Sequence, residues 1–436
     1  MVTFGLRPTT SGPQEMSAQK SSASTSKGQN TSKDAGKFAG VATIVRTAAV
    51  RLEVSAEDSV KLEETQSLYG KASRLLAEIM REQPRGMRPW QRHNLHHAGY
   101  RRVRSEIPEL GSQLVCNTVR SVSAAAKSWI SNNPKFLKDD KIELPAFKFA
   151  NPIVHLDKNT ISYSADRKTA SIYTTTGRIK ATLAPGAFQE EILSSGTWKE
   201  SNLVFRKGKR GKPGHWELHI AVEQPSRKVS LEGLTKDQVE GTDVGENNMA
   251  ATTHGLWKGG KLKYDRDCYL ALRKRLQCNG SRSANQHLRK ASGRERRHVK
   301  HVNNVVSKQI VQEAKANGIR VIVLEELTHI RDRIKAGLRV RTRLHRWPFR
   351  ELQEMIVHKA AREGIEVVFV DPRYTSQTCS KCKALGKRRK HRFVCSNCGN
   401  RAHADVNSAC NLRDLGYQWI TQRGEVNLPD VEPLRR

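Results

Sequence analysis

Acidic residues are in short supply. Against 77 Lys and Arg the chain sets only 43 Asp and Glu, so its 436 residues carry a formal net charge of +34. An imbalance of that size goes beyond what solubility requires. It calls for a polyanionic partner, nucleic acid ahead of anionic membrane. Long apolar runs are missing too. No stretch approaches the length of a membrane span, no amphipathic basic helix presents a clean aromatic face, and the opening MVTFGLRPTTSGPQ has no secretory core. The expectation is therefore a cytoplasmic, nucleoid-associated protein without a membrane partner. Cysteine is sparse. Cys116, Cys268, Cys278 and Cys410 form no spaced pairs. They read as reduced thiols, and a short disulfide scaffold is excluded.

The other four cysteines are arranged. Cys379/Cys382 and Cys395/Cys398 are two Cys-x-x-Cys pairs separated by the twelve residues KALGKRRKHRFV. Two intervening residues let one tight turn aim both sulfurs at the same ion, and four thiolates complete a tetrahedral Zn(II) shell with no open position. The spacing predicts a structural zinc site on all four, with a short hairpin between the pairs. Gly399 follows the second pair and supplies the positive φ that such a knuckle uses.

The chain divides by composition. Residues 1–40 are rich in Ser, Thr, Gln, Lys and Gly and read as a disordered basic tail. Residues 41–54 form a β-rich run. Residues 55–139 are helical, with Ser55 as N-cap, breaks at Pro84 and Pro108, and an arginine cluster (85, 88, 92, 101, 102, 104) that suits either a solvated or a phosphate-tracking face. Residues 140–236 return to short strands, with RKGKRGK (206–212) as a cationic hairpin tip. With 41–54 they predict a small β-barrel or sandwich, the helical block being inserted after its first strand. From 237 the pattern is α/β. A strand-turn-strand at 240–255 is followed by long basic helices over 266–317, then by two apolar strands (319–327 and 365–371) flanking a helix (349–364), which is the signature of a parallel βαβ unit. The fold class expected is thus α/β plus β.

Three acids stand at element ends in this last part. Asp243 follows a strand start, Glu325 ends Val-Ile-Val-Leu, and Asp405 begins a helix seven residues after Cys398. An open sheet gathers such ends on one edge. Three carboxylates there would hold two Mg(II) ions about 3.5–4 Å apart and clamp the oxygens of a phosphodiester. Singly, each also reads as a turn, strand-end or N-cap residue.

These motifs resemble the TnpB (OrfB) nucleases of insertion sequences and, through them, the compact type V CRISPR effectors. Gly241-Thr-Asp-Val-Gly245 looks like the first RuvC motif, Val323-Leu-Glu-Glu-Leu327 the second, Tyr374-Thr-Ser-Gln-Thr-Cys379 the lead into the zinc finger, and Ala404-Asp-Val-Asn407 the third. The resemblance selects Glu325 over Glu326. It implies an RNase H-like (RuvC) nuclease domain (237–375 and 401–420) interrupted by a zinc ribbon (376–400), an N-terminal β-barrel carrying a helical recognition insert, and a C-terminal tail (421–436). It further implies a guide RNA and a target DNA as partners, structural Zn(II), catalytic Mg(II), and DNA cleavage beside a short motif. Lys383 departs from the family pattern, which often has Gly after the first cysteine pair, and the 40-residue tail is longer than usual. A nuclease-inactive RNA-guided regulator and a strand-transferring transposase stay open as alternatives, as does the choice between monomer and homodimer.

Overall fold

The computed structural model describes residues 36–38, 43–208, 211, 213–226, 229–245, 247–327, 349–371 and 375–422. Residues 1–35, part of the cationic tip at 206–212 and residues 423–436 lie outside them.

The tail was expected to run to residue 40, but Gly36–Phe38 (β1) is a strand. Backbone pairing needs no particular side chain, so three residues on a sheet edge leave no periodic signal. Thr43–Glu53 (β2) follows. The helical block is Ala56–Glu82 (α1), Arg92–Glu106 (α2) and Ser112–Asn132 (α3). Ser55 caps α1 by accepting the Asp58 amide at 3.0 Å. The chain then forms Val154–Leu156 (β3), Ile161–Tyr163 (β4), Thr169–Thr174 (β5), Gly177–Ala184 (β6), a short helix Ala187–Ser194 (α4), Thr197–Arg206 (β7) and His215–Pro225 (β8).

These strands make one antiparallel sheet in the order β3-β7-β8-β2-β6-β5-β4. Its two edge strands are not paired to each other, but Tyr163 on β4 reaches Ser201 on β7 at 2.6 Å and packs its ring edge-on to Trp198 at 4.7 Å. The sheet is therefore curled toward a barrel without closing. The helices do not have a core of their own. Leu62, Tyr69 and Leu76 of α1 and Leu114 and Val119 of α3 belong to the same buried cluster as Val50, Ile172, Leu218 and Ile220 of the sheet.

The second half comprises Val239–Asp243 (β9), Asn248–Thr252 (β10), Leu256–Lys258 (β11), Gly260–Asn279 (α5), Arg282–Ala316 (α6), Val321–Glu325 (β12), Phe349–Glu363 (α7) and Glu366–Val370 (β13). Gly386–Arg389 (β14), Arg392–Cys395 (β15) and Arg401–His403 (β16) form a small three-stranded sheet, and Ala404–Gln422 (α8) ends the described chain. The large sheet runs β1-β13-β12-β9-β10-β11, with β13, β12 and β9 parallel. Alternation along β12 sorts its faces. Ile322 and Leu324 pack with Ile310 of α6 and Ile356 of α7, whereas Val321 and Val323 pack with Leu412 and Trp419 of α8.

Candidate active site

The parallel register pairs Leu324 with Thr242, so the next rung brings Glu325 beside Asp243 at the carboxyl ends of β12 and β9. Asp405 approaches from the first turn of α8. That helix lies directly on the sheet. A Cβ on Gly241 would overlap the Ala409 carbonyl oxygen, and one on Gly416 would overlap Val323. Two residues without side chains thus set the spacing that delivers Asp405 to the strand ends.

The three carboxylates lie in one another's field. Burial first, and the Asp405 charge second, push Asp243 up to about 7. Burial, then Asp243, raises Glu325 well above the usual carboxylate range. Both side chains keep some exposure at the sheet edge, but the protein around them is dense enough for desolvation to lead. Arg388 of β14 supplies the opposing charge, its Nη2 donating to Asp405 Oδ1 at 2.8 Å. Asn248 Nδ2 donates to the other oxygen of Asp405 at 2.7 Å. Thr375 Oγ1 donates to Glu325 Oε1 at 3.5 Å, and Ser408 lies against both Thr375 and Asp243.

A cavity of about 850 Å³ opens over Asp405. Asn247 and Asn248 line one side, and Arg388, Lys390, His391 and His403 of the small three-stranded sheet and its turn line the other. The two histidine rings are stacked with centroids 5.9 Å apart. Such a cavity suits a unit of nucleotide size, with cations for its phosphate and rings for its base.

The four cysteines converge from two knuckles. Sγ of Cys382 and Cys395 are 3.5 Å apart, and those of Cys379 and Cys398 3.6 Å. A tetrahedron with Zn–S bonds of about 2.3 Å has edges of about 3.8 Å, so the donor set fits zinc. Among the described residues these are the only three or more His, Cys, Asp or Glu side chains whose ligand atoms all lie within 4.8 Å of one another. The three acids are spread more widely across the sheet edge. Their fit to a divalent cation rests on their hard oxygens and shared negative field.

The carboxyl-terminal part, residues 349–412, matches the family model described as Cas12f1-like, TNB domain. The chain is 26% identical to the CRISPR-associated endodeoxyribonuclease Cas12f1 of Syntrophomonas palmitatica over 349 residues, 70% of this chain and 67% of that protein. It is 35% identical over 127 residues to a TnpB-like protein of Methanocaldococcus jannaschii, 29% of this chain and 45% of that one. The chain is related to the TnpB proteins and the compact type V effectors. A second Cas12f1, from Sulfoacidibacillus thermotolerans, is 41% identical over 113 residues, a quarter of either chain. The alignments therefore span between a quarter and two thirds of these relatives' lengths. A solved Cas12f1–sgRNA–target DNA complex superposes with a TM-score of 0.55 at 16% identity, over 85% of this chain and 99% of that one. At that identity the likeness shows a shared fold with that Cas12f1.

Sequence reasoning missed Asn248, Thr375, Arg388 and Ser408. Asn248 stands in an ordinary turn-and-return pattern, and Arg388 is one of five cations between Gly386 and Phe393. Only the fold distinguishes it from its neighbours.

Proposed function

We propose that this chain is an RNA-guided DNA endonuclease of the TnpB/type V kind, hydrolysing DNA phosphodiesters beside a short recognition motif. Asp243, Glu325 and Asp405 would hold two Mg(II) ions, and Cys379, Cys382, Cys395 and Cys398 one structural Zn(II). The observation that carries this reading is the approach of three carboxylates from β9, β12 and α8 at one sheet edge, with a cavity flanked by Arg388 and Lys390 opening over Asp405. Relatives named endodeoxyribonucleases and a matched complex with sgRNA and target DNA support a guide RNA and a target DNA as partners.

When bound, Mg(II) supplies positive charge that offsets the phosphodiester's own and activates a water. The chain's residues hold the rest in place. Asn248 and Arg388 orient Asp405 through one oxygen each. Thr375 steadies Glu325. Arg388 and Lys390 face the cavity as counter-charges for a strand's phosphates. The histidine pair offers ring faces to a base.

The test is cleavage by the purified protein with RNA transcribed from its own flanking sequence. Asp243→Ala, Glu325→Gln and Asp405→Asn should each lower the rate by orders of magnitude, with guide and target binding little changed. Glu326→Gln is the internal control, because Glu326 sits past the end of β12, its amide bonded to the Val370 carbonyl at 2.8 Å. If Glu326→Gln abolishes cutting and Glu325→Gln does not, the second acid is misassigned. If none of the acids matters, the regulator reading replaces this one.

A further inference from the structure

Lys383 is one of four described non-glycine residues with positive φ, at 61°. The conformation is forced on it by the first knuckle, where its amide closes back on the Cys379 carbonyl at 3.0 Å. A lysine pays for this geometry in backbone strain that glycine would escape. Its side chain shows what is gained. Nζ donates to Asn411 Oδ1 at 3.0 Å and to Asp414 Oδ2 at 2.7 Å, both on α8.

Asp414 is 7% exposed, and Lys236 and Arg413 approach its other oxygen at 2.9 and 3.1 Å. Burial would raise its pKa, but the bonds from Lys383 and Lys236 outweigh burial and hold it below the ordinary value. Asn407, Asn411 and Asp414 are spaced i, i+4, i+7 and share one face of α8. Asn407 and Asn411 hold the chain that leads into the ribbon. Both donate to the Thr378 carbonyl at 2.7 Å, and Asn407 accepts the Ser380 amide at 2.9 Å.

The ribbon is therefore tied to α8 at two charged points. Arg388 meets Asp405 at the start of the helix, and Lys383 meets Asp414 nine residues further on. Along a helix that separation is about 13 Å. With the Asn407 and Asn411 bonds to Thr378 and Ser380 between them, these two end ties resist rotation of the ribbon about its chain connections.

We propose that Lys383 is a positioning residue. It is a strut that sets the angle of the four-cysteine ribbon on α8, and so places the Arg388–His391 wall over Asp405. It acts through the ribbon and touches no reacting group. The catalytic consequence rests on the nuclease reading above; the mechanical one does not.

The experiment compares the zinc-loaded full chain with Lys383→Gly, which suits the positive φ but removes the strut, and with Lys383→Arg, which can still reach Asp414. Expected for Lys383→Gly are unchanged zinc content, amide exchange across residues 376–391 accelerated about tenfold, and a single-turnover cleavage rate lowered about tenfold or more at unchanged DNA affinity. Lys383→Arg should restore most of both. Wild-type exchange in Lys383→Gly overturns the strut. So does loss of zinc, which would make Lys383 a folding element of the knuckle. A cleavage loss that appears as weakened binding overturns the positioning role. If the unsubstituted chain cuts no DNA, the nuclease reading fails while the exchange measurement still decides the strut.

Discussion

Glu240 lies three residues before Asp243 on β9, fully buried, and among the described residues neither carboxylate oxygen has a hydrogen-bond partner. Burial, then the charge of Glu313 on α6, pushes its pKa from 4.5 up to about 8. The folded protein thus keeps a proton that the unfolded chain releases near 4.5. Where the native state binds more protons than the unfolded one, stability falls as pH rises. The contribution is harmless below about pH 4.5, grows unfavourable between 4.5 and 8, and levels off above. At full extent it is on the order of a few kcal/mol. Glu240→Gln removes the titration. Its melting temperature should gain on the wild type from pH 5 to pH 8, and parallel curves across that range would refute the assignment. The sequence places a glutamate in β9 without fixing which face it takes, because the sheet is covered on both sides.

At the scale of elements, α8 against β9 is the contact on which the site depends. Gly241→Ala adds one methyl group where the Ala409 carbonyl already sits, and backbone cannot rotate aside as a side chain can. Overpacking of this kind costs about 1–3 kcal/mol. Denaturant unfolding should show that loss, and cleavage should fall with it because Asp405 rides on the displaced helix. An unchanged midpoint would mean that α8 is free to shift. This contact also marks the limit of what was legible. Local signals were readable: Ser55 as a cap, the breaks before α2 and α3, the return to short strands after residue 140, and the hairpin between the cysteine pairs. Each depends on neighbours a few residues apart. The β1–β13 pairing, the start of α5 at Gly260 and the Lys383–Asp414 tie were not readable. The two pairings join distant residues, and the α5 start has no N-cap side chain to announce it.

Across the whole molecule, the excess of 34 positive charges is not spread evenly over function. Three of the clustered arginines between residues 85 and 104 are engaged within the fold. Arg85 stacks over Phe136 at 4.1 Å and bonds the Asp139 carbonyl, Arg102 pairs with Glu82 and Glu106, and Arg104 holds the Pro108 and Leu110 carbonyls. Arg92 and Arg101, nine residues apart, face opposite sides of α2, so no continuous phosphate-tracking stripe forms there. Helix α6 differs. Exposed Arg282, Arg289, Arg296 and Lys300 recur at i, i+7, i+14 and i+18, which keeps them within about 40° of one line over about 27 Å. The opposite face buries Ala284, Ala291, Glu295 and Val299, and Glu295 is already neutralised by Arg273 at 2.5 Å. A straight basic stripe backed by a packed face can neutralise successive phosphates without moving. Each phosphate contact contributes about −0.9 to the slope of log affinity against log salt on duplex DNA, and about −0.7 on a single strand. Replacing Arg289, Arg296 and Lys300 with Gln should therefore flatten the slope by about two to three and weaken binding across all sequences, with little change in melting temperature because none of the three is buried. The matched substitution of Arg102 and Arg104 should do the reverse, lowering the melting temperature and leaving the slope alone. If the α6 variant keeps the wild-type slope, the nucleic acid is held elsewhere, and the stripe is a solvated face.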